Sequence, residues 1–168
     1  YKYSYGYQNW YPSVEKETKN TKKNVGLFDL TPFSKFDLKG EGSFDELQRI
    51  CTANIKSING KTTYTQILNK DGGIEIDCTV VCLEKNYFRI ISSAATRERD
   101  KFFILNNISK DIIFEDVTDK YCCLGVFGPK SRDLLSKISQ DNFSNENFKF
   151  GTGTVSYTHL RAHETPIN

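Results

Sequence analysis

Asp77 is the side chain of this sequence with the clearest chemical prospect. It lies in a stretch where Ile74, Ile76, Cys78, Val80 and Cys82 alternate with Glu75, Asp77, Thr79, Val81 and Leu83. Alternation with a period of two marks a half-buried strand. Asp77 belongs to the second face, which changes along the strand from charged to apolar. A carboxylate at that boundary is expected to be partly shielded and suited to pairing with a ligand cation or N–H donor. The same position also suits an ordinary solvated face near a hairpin end. Tyr64 sits on a strand expected over 62–68. Its ring could stack on a flat ligand, and by spacing alone it could equally pack in the core.

Other motifs point to less. Asp71-Gly72-Gly73 lacks the remainder of a phosphate loop and leads into a strand, so it reads as a hairpin turn. Gly125 and Gly128 do not make a dinucleotide fingerprint. Arg97, Arg99 and Lys101 alternate with Glu98 and Asp100 and read as a solvated helix face, with a polyanion contact as the rival. The five cysteines, Cys51, Cys78, Cys82, Cys122 and Cys123, form no CxxC pair, and four lie in apolar strand-like runs. Buried, reduced thiols are expected, with no metal site. His159 and His163 have helical metal-ligand spacing. They fall, however, in a run from Val155 to Thr165 that looks like a translated sequencing adapter, so residues 155–168 are expected to be non-native.

The elements that must position these groups follow from pattern. Ser13 is expected to cap a helix over 14–23. A short strand over 35–39 precedes a helix from Ser43 with Phe44, Leu47 and Ile50 on one face. Strands are expected over 62–68, 74–83 and 87–92, then a helix from Thr96 to Asn107, strands over 112–115 and 121–127, and a helix over 130–138 introduced by Gly128-Pro129. Helices alternate with hairpins, which predicts an α+β fold of antiparallel hairpins with packed helices. The chain has 168 residues, no Met, 38% hydrophobic and 26% charged residues, and a formal net charge of +2. These values suit one globular domain and give no basis for a nucleic-acid surface. Apolar runs such as Val80–Leu83 reach four residues, far short of the roughly 20 that span a bilayer. The lack of Met suggests a fragment. Residues 1–12, rich in Tyr and Trp, are expected to be a linker docked on a neighbouring surface.

Five pieces in order then resemble the glycine-cleavage T-protein (aminomethyltransferase) folate-binding family. They are Val25–Leu30 with Lys35-Phe36, Gly60–Asn69, Gly72–Asp77, Thr96–Asp100 and Gly128–Arg132. Tyr3–Trp10 and the single Asp of Gly-Gly-Ile-Glu-Ile-Asp are closer to the dimethylglycine and sarcosine dehydrogenase group. The resemblance implies the N-terminal part of a folate-binding domain over residues 13–154, behind a linker from an upstream FAD domain. It also implies a compartment, the cytoplasm or a mitochondrial matrix. The implied chemistry is oxidation of an N-methyl amine by FAD and capture of the one-carbon unit by tetrahydrofolate. Asp77 matches the family's key carboxylate, which holds the folate nitrogens and stabilises positive charge. Tyr64 matches a pterin-pocket tyrosine, and Ser93 stands where the family commonly has Asn. The implied alternatives are a folate-binding scaffold without transfer chemistry and a stand-alone aminomethyltransferase. Neither membrane nor nucleic acid is an expected partner.

Overall fold

A computed structural model describes residue 3 and residues 5–154. The expected adapter tail, with both histidines, lies outside the described residues. Four helices, α1 (Tyr11–Lys23), α2 (Ser43–Ile50), α3 (Arg97–Asn107) and α4 (Ser131–Ile138), are interleaved with seven strands. The strands are β1 (Gly26–Asp29), β2 (Ser34–Lys39), β3 (Thr62–Leu68), β4 (Ile74–Glu84), β5 (Tyr87–Ser92), β6 (Ile113–Asp116) and β7 (Leu124–Phe127). Among the described residues no helix is long and apolar enough to cross a membrane.

The main sheet is antiparallel with the order β3-β4-β5-β2-β6, and β1 pairs with β7 in a second, two-stranded sheet. The β3–β4 hairpin turns where the sequence places Lys70–Gly73. Gly72 adopts φ +82 there, and Asn69 Oδ1 accepts from the Gly73 N–H at 2.8 Å. The β4–β5 turn uses Asn86 at φ +58, a left-handed conformation that Asn tolerates better than most residues.

The period-two alternation separates two faces. Phe36, Leu38, Ile67, Ile76, Cys78, Val80, Cys82, Phe88 and Ile90 are buried in one core with Leu47 of α2 and Ile104 of α3. At ~25 cal/mol per Å² of apolar surface, this helix-facing side dominates the favourable burial. Asp100 pins α3 to it. The carboxylate is 1% exposed and accepts from Ser92 Oγ at 2.9 Å and Thr96 Oγ1 at 2.8 Å.

Several local expectations need correction. α1 begins at Tyr11, with Pro12 in its first turn and no acidic residue there, so Ser13 is not its cap. Pro pre-set at the first turn displaces the hydroxyl start. α4 starts at Ser131, and Pro129 stands outside it. Gly128 adopts φ +117, and a Cβ there would meet the Thr21 carbonyl oxygen at 2.4 Å, so only glycine fits this turn against α1. Cys122 is exposed and Cys123 half-buried, because the strand begins at Leu124. Cys51, Cys78 and Cys82 are buried as expected.

Candidate functional site

β3 and β4 place the first two predicted residues together. In their ladder Tyr64 faces Thr79 and Gln66 faces Asp77. Tyr64 and Asp77 are therefore diagonal neighbours on one face, about 7–8 Å apart at Cα. Ser93 follows Ser92, which pairs with Cys78, so the chain carries Ser93 past the position beside Asp77. Tyr64 and Asp77 lie on the side of the sheet away from α2 and α3, whereas Ser93 stands just past the end of β5, at the start of the turn into α3.

The electrostatics are local. Hydrogen bonding to the Asp77 carboxylate raises the Tyr64 hydroxyl above the ordinary tyrosine range, opposed by Gln66. Gln66 Nε2 donates to Asp77 Oδ1 at 3.5 Å. Ser93 Oγ accepts from the Ala95 N–H at 3.3 Å and starts the 3-10 turn Ala94–Thr96. The expected shielding of Asp77 is not found. Asp77 and Ser93 are exposed, and Tyr64 is 65% exposed, which also removes its core-packing reading. The apolar side of the strand lies behind Asp77, and its own side is open. Tyr64 and Asp77 together present an aromatic face and an anion on the open side of the sheet.

The same face is closed at its other end by groups that pattern alone did not single out. Asp37 is paired with Arg89 at 2.7 Å and with the Tyr87 hydroxyl at 2.6 Å. The Arg89 guanidinium lies over the Tyr121 ring. Lys35, 3% exposed, donates to the carbonyls of Thr31, Phe33 and Thr118. Alternation puts Lys35, Asp37 and Arg89 on the polar face, but the covering segment 117–123 has no sequence signal that marks it as a lid over them.

A cavity of about 560 Å³ adjoins Ser93 through Ala94 and is lined by Asp29, Thr31, Arg97, Asp119 and Lys120. Arg97 is half-buried rather than solvated. It donates to Asp116 at 2.8 Å and Asp119 at 2.9 Å. Arg99 reaches the Asp100 carboxylate and the Glu75 carbonyl, and Lys101 lies 3.9 Å from Glu98. With its cations so engaged, this helix does not present a free basic patch. Tyr3, Tyr5 and Tyr7 of the expected linker are exposed.

The GCVT N-terminal domain family model matches residues 1–163, a span that overlaps the expected adapter tail. A 4-methylaminobutanoate oxidase (formaldehyde-forming) of Paenarthrobacter nicotinovorans is 37% identical over 92% of this chain and 19% of its own length. An aminomethyltransferase of Halothermothrix orenii is 31% identical over 86% of this chain and 41% of its own length. The chain thus spans less than half of either relative. Among solved structures, glycine cleavage system aminomethyltransferase T from Bartonella henselae matches with a TM-score of 0.68 at 20% identity, covering 74% of this chain and 35% of that one. This last likeness concerns the fold, and it agrees with the mixed helix and antiparallel-sheet architecture.

Proposed function

The chain belongs to the GCVT N-terminal domain family, and from that premise we propose that it supplies one wall of a tetrahydrofolate site for one-carbon transfer. The observation that supports the reading is that Tyr64 and Asp77 are diagonal neighbours on one open sheet face, with Ser93 directly following the strand that pairs beside them. When bound, tetrahydrofolate supplies the nitrogens that accept the one-carbon unit. Asp77 accepts a hydrogen bond from a ring N–H and stabilises positive charge during transfer. Tyr64 stacks on the ring, and Ser93 contributes a hydroxyl at its edge.

The parent protein in this reading is an FAD-dependent N-methyl amine oxidoreductase, with its flavin domain upstream of the aromatic linker at residues 1–12. The 37% identity to an oxidase that acts on a methylamino acid supports it. The aminomethyltransferase relative supports a second reading, a stand-alone transferase. Flavin absorbance in the purified intact protein separates the two.

The test is Asp77→Asn in the intact protein. One-carbon transfer to tetrahydrofolate is expected to slow by about 100-fold or more, the usual cost of losing one preorganised electrostatic group. Substrate-driven flavin reduction is expected to stay near normal. Equal loss of both half-reactions refutes the assignment of Asp77.

A further inference from the structure

We infer that Gln66 is a positioning residue for Asp77. Its side-chain amide holds one carboxylate oxygen and aims the other at the ligand. This rests on the tetrahydrofolate reading above.

Gln66 and Asp77 face each other across one rung of the β3–β4 ladder, so both side chains rise from the same side of the sheet. Gln66 Nε2 donates to Asp77 Oδ1 at 3.5 Å. The backbone that carries this amide is clamped at the sheet edge. The Gln66 carbonyl accepts from Thr52 N–H at 2.9 Å and Thr52 Oγ1 at 3.1 Å, and the Gln66 N–H donates to Thr52 Oγ1 at 3.3 Å. Cys51 bridges Ile67 one residue further on. The backbone from which the donor rises is therefore fixed even though the face is open. An exposed aspartate otherwise samples several rotamers, and ordering it opposes binding.

The donor's neutrality matters as much as its position. Among the described residues no Lys or Arg is hydrogen-bonded to Asp77. The titratable groups around it are Tyr64 from β3, whose hydroxyl is a second neutral donor to the carboxylate, Glu75 on its own strand, Cys78 behind it and Arg99 from α3. Glu75 is engaged by Asn69 at 3.1 Å, and Arg99 is directed to the Glu75 carbonyl and Asp100. A guanidinium in place of Gln66 would fix the carboxylate and neutralise it. The amide fixes it and leaves its negative charge for the ligand.

The experiment measures tetrahydrofolate affinity of the intact protein by calorimetry. Gln66→Leu is expected to weaken binding about fivefold, the worth of one ordinary hydrogen bond, as suits a long and exposed contact. Gln66→Glu is expected to weaken it about tenfold or more at pH 8. That loss shrinks toward pH 5.5, where the introduced carboxyl regains a proton to donate. In an Asp77→Asn background both substitutions change affinity by less than about twofold. Wild-type affinity for Gln66→Leu, or equal losses with and without Asp77, overturns the inference. A second measurement reads the contact without ligand: the Gln66 side-chain amide resonance moves on Asp77→Asn, and a stationary resonance overturns it. Failure of the wild-type protein to bind tetrahydrofolate overturns the folate reading instead, and the amide resonance then still decides whether Gln66 holds Asp77.

Discussion

Asp37→Asn asks whether the closed end of the polar face depends on one buried ion pair. Asp37 is 1% exposed and takes Arg89 Nε at 2.7 Å, Arg89 Nη2 at 3.0 Å and the Tyr87 hydroxyl at 2.6 Å. Hydrogen bonding to Asp37 raises the proton affinity of Arg89, which keeps a fixed cation there. Asparagine preserves the shape but offers one acceptor oxygen and no charge to a two-pronged guanidinium. Stranding one partner of a buried pair costs about 3–5 kcal/mol. The Arg89 side chain keeps 15% of its exposure and its place over Tyr121, so the low end, about 3 kcal/mol, is expected. For a chain of this size that lowers Tm by roughly 6–12 °C. The assay is urea and thermal unfolding of Asp37→Leu, Arg89→Leu and the double variant beside Asp37→Asn. The double variant strands no charge and is expected to lose less than the sum of the single losses, by about 2 kcal/mol or more. Additive single losses, or an Asp37→Asn loss below about 1 kcal/mol, would refute the reasoning.

Tyr87 gives this cluster an alkaline limit. Its hydroxyl is pushed up to about 12, first by burial and then by the hydrogen bond to Asp37, against about 10 in an unfolded chain. The folded state binds that proton more tightly, so the contribution is complete below pH 10 and is lost as pH rises through 12. Unfolding measured between pH 9 and 11.5 is expected to show this decline and Tyr87→Phe to reduce it; an unchanged slope counts against the assignment. The thiols supply a second check. Burial pushes the Cys51 thiol up to about 11 and also raises Cys78, whereas Cys122 is exposed. Iodoacetamide at pH 8 should modify Cys122 first and reach Cys51, Cys78 and Cys82 only in urea. Native modification of Cys51 at the rate of Cys122 would contradict the packing.

The sheet was legible because its signal is local. Alternation from Ile74 to Thr79 after the Thr/Tyr-rich run Thr62–Leu68, with Gly72 between, defines a hairpin and assigns the side chains of the second strand to faces. The pairing register, which the pattern does not give, is what sets Tyr64 and Asp77 on one side. The surroundings of each group did not follow. Lys35 is buried against Thr118, 83 residues away in sequence, a contact that no local pattern announces. Ile74 fits the apolar pattern but is 67% exposed, because it sits at the hairpin end beyond the reach of the helices. The shielding expected for Asp77 failed for the related reason that an apolar strand face shields only what lies on that face.

The exposure of Asp77 bears directly on how such a site could work. Two unit charges 4 Å apart interact by about 1 kcal/mol in bulk water and about 4 kcal/mol at the effective dielectric of about 20 that describes charges shielded from water by protein. An open carboxylate thus stabilises developing positive charge weakly, however well Gln66 aims it. Excluding water from the face gains about 3 kcal/mol per charge contact by the same arithmetic, or two powers of ten in rate. Tyr64, with its exposed ring, can exclude water from one side of a flat ligand but not from both. In the proposed mechanism the remaining cover is not supplied by the described residues around Asp77, and the chain spans 19% and 41% of the lengths of its two relatives. On the proposed reading, the sheet would set the geometry of the carboxylate through the Gln66 rung, and the strength of its charge would depend on how much water is kept from the face.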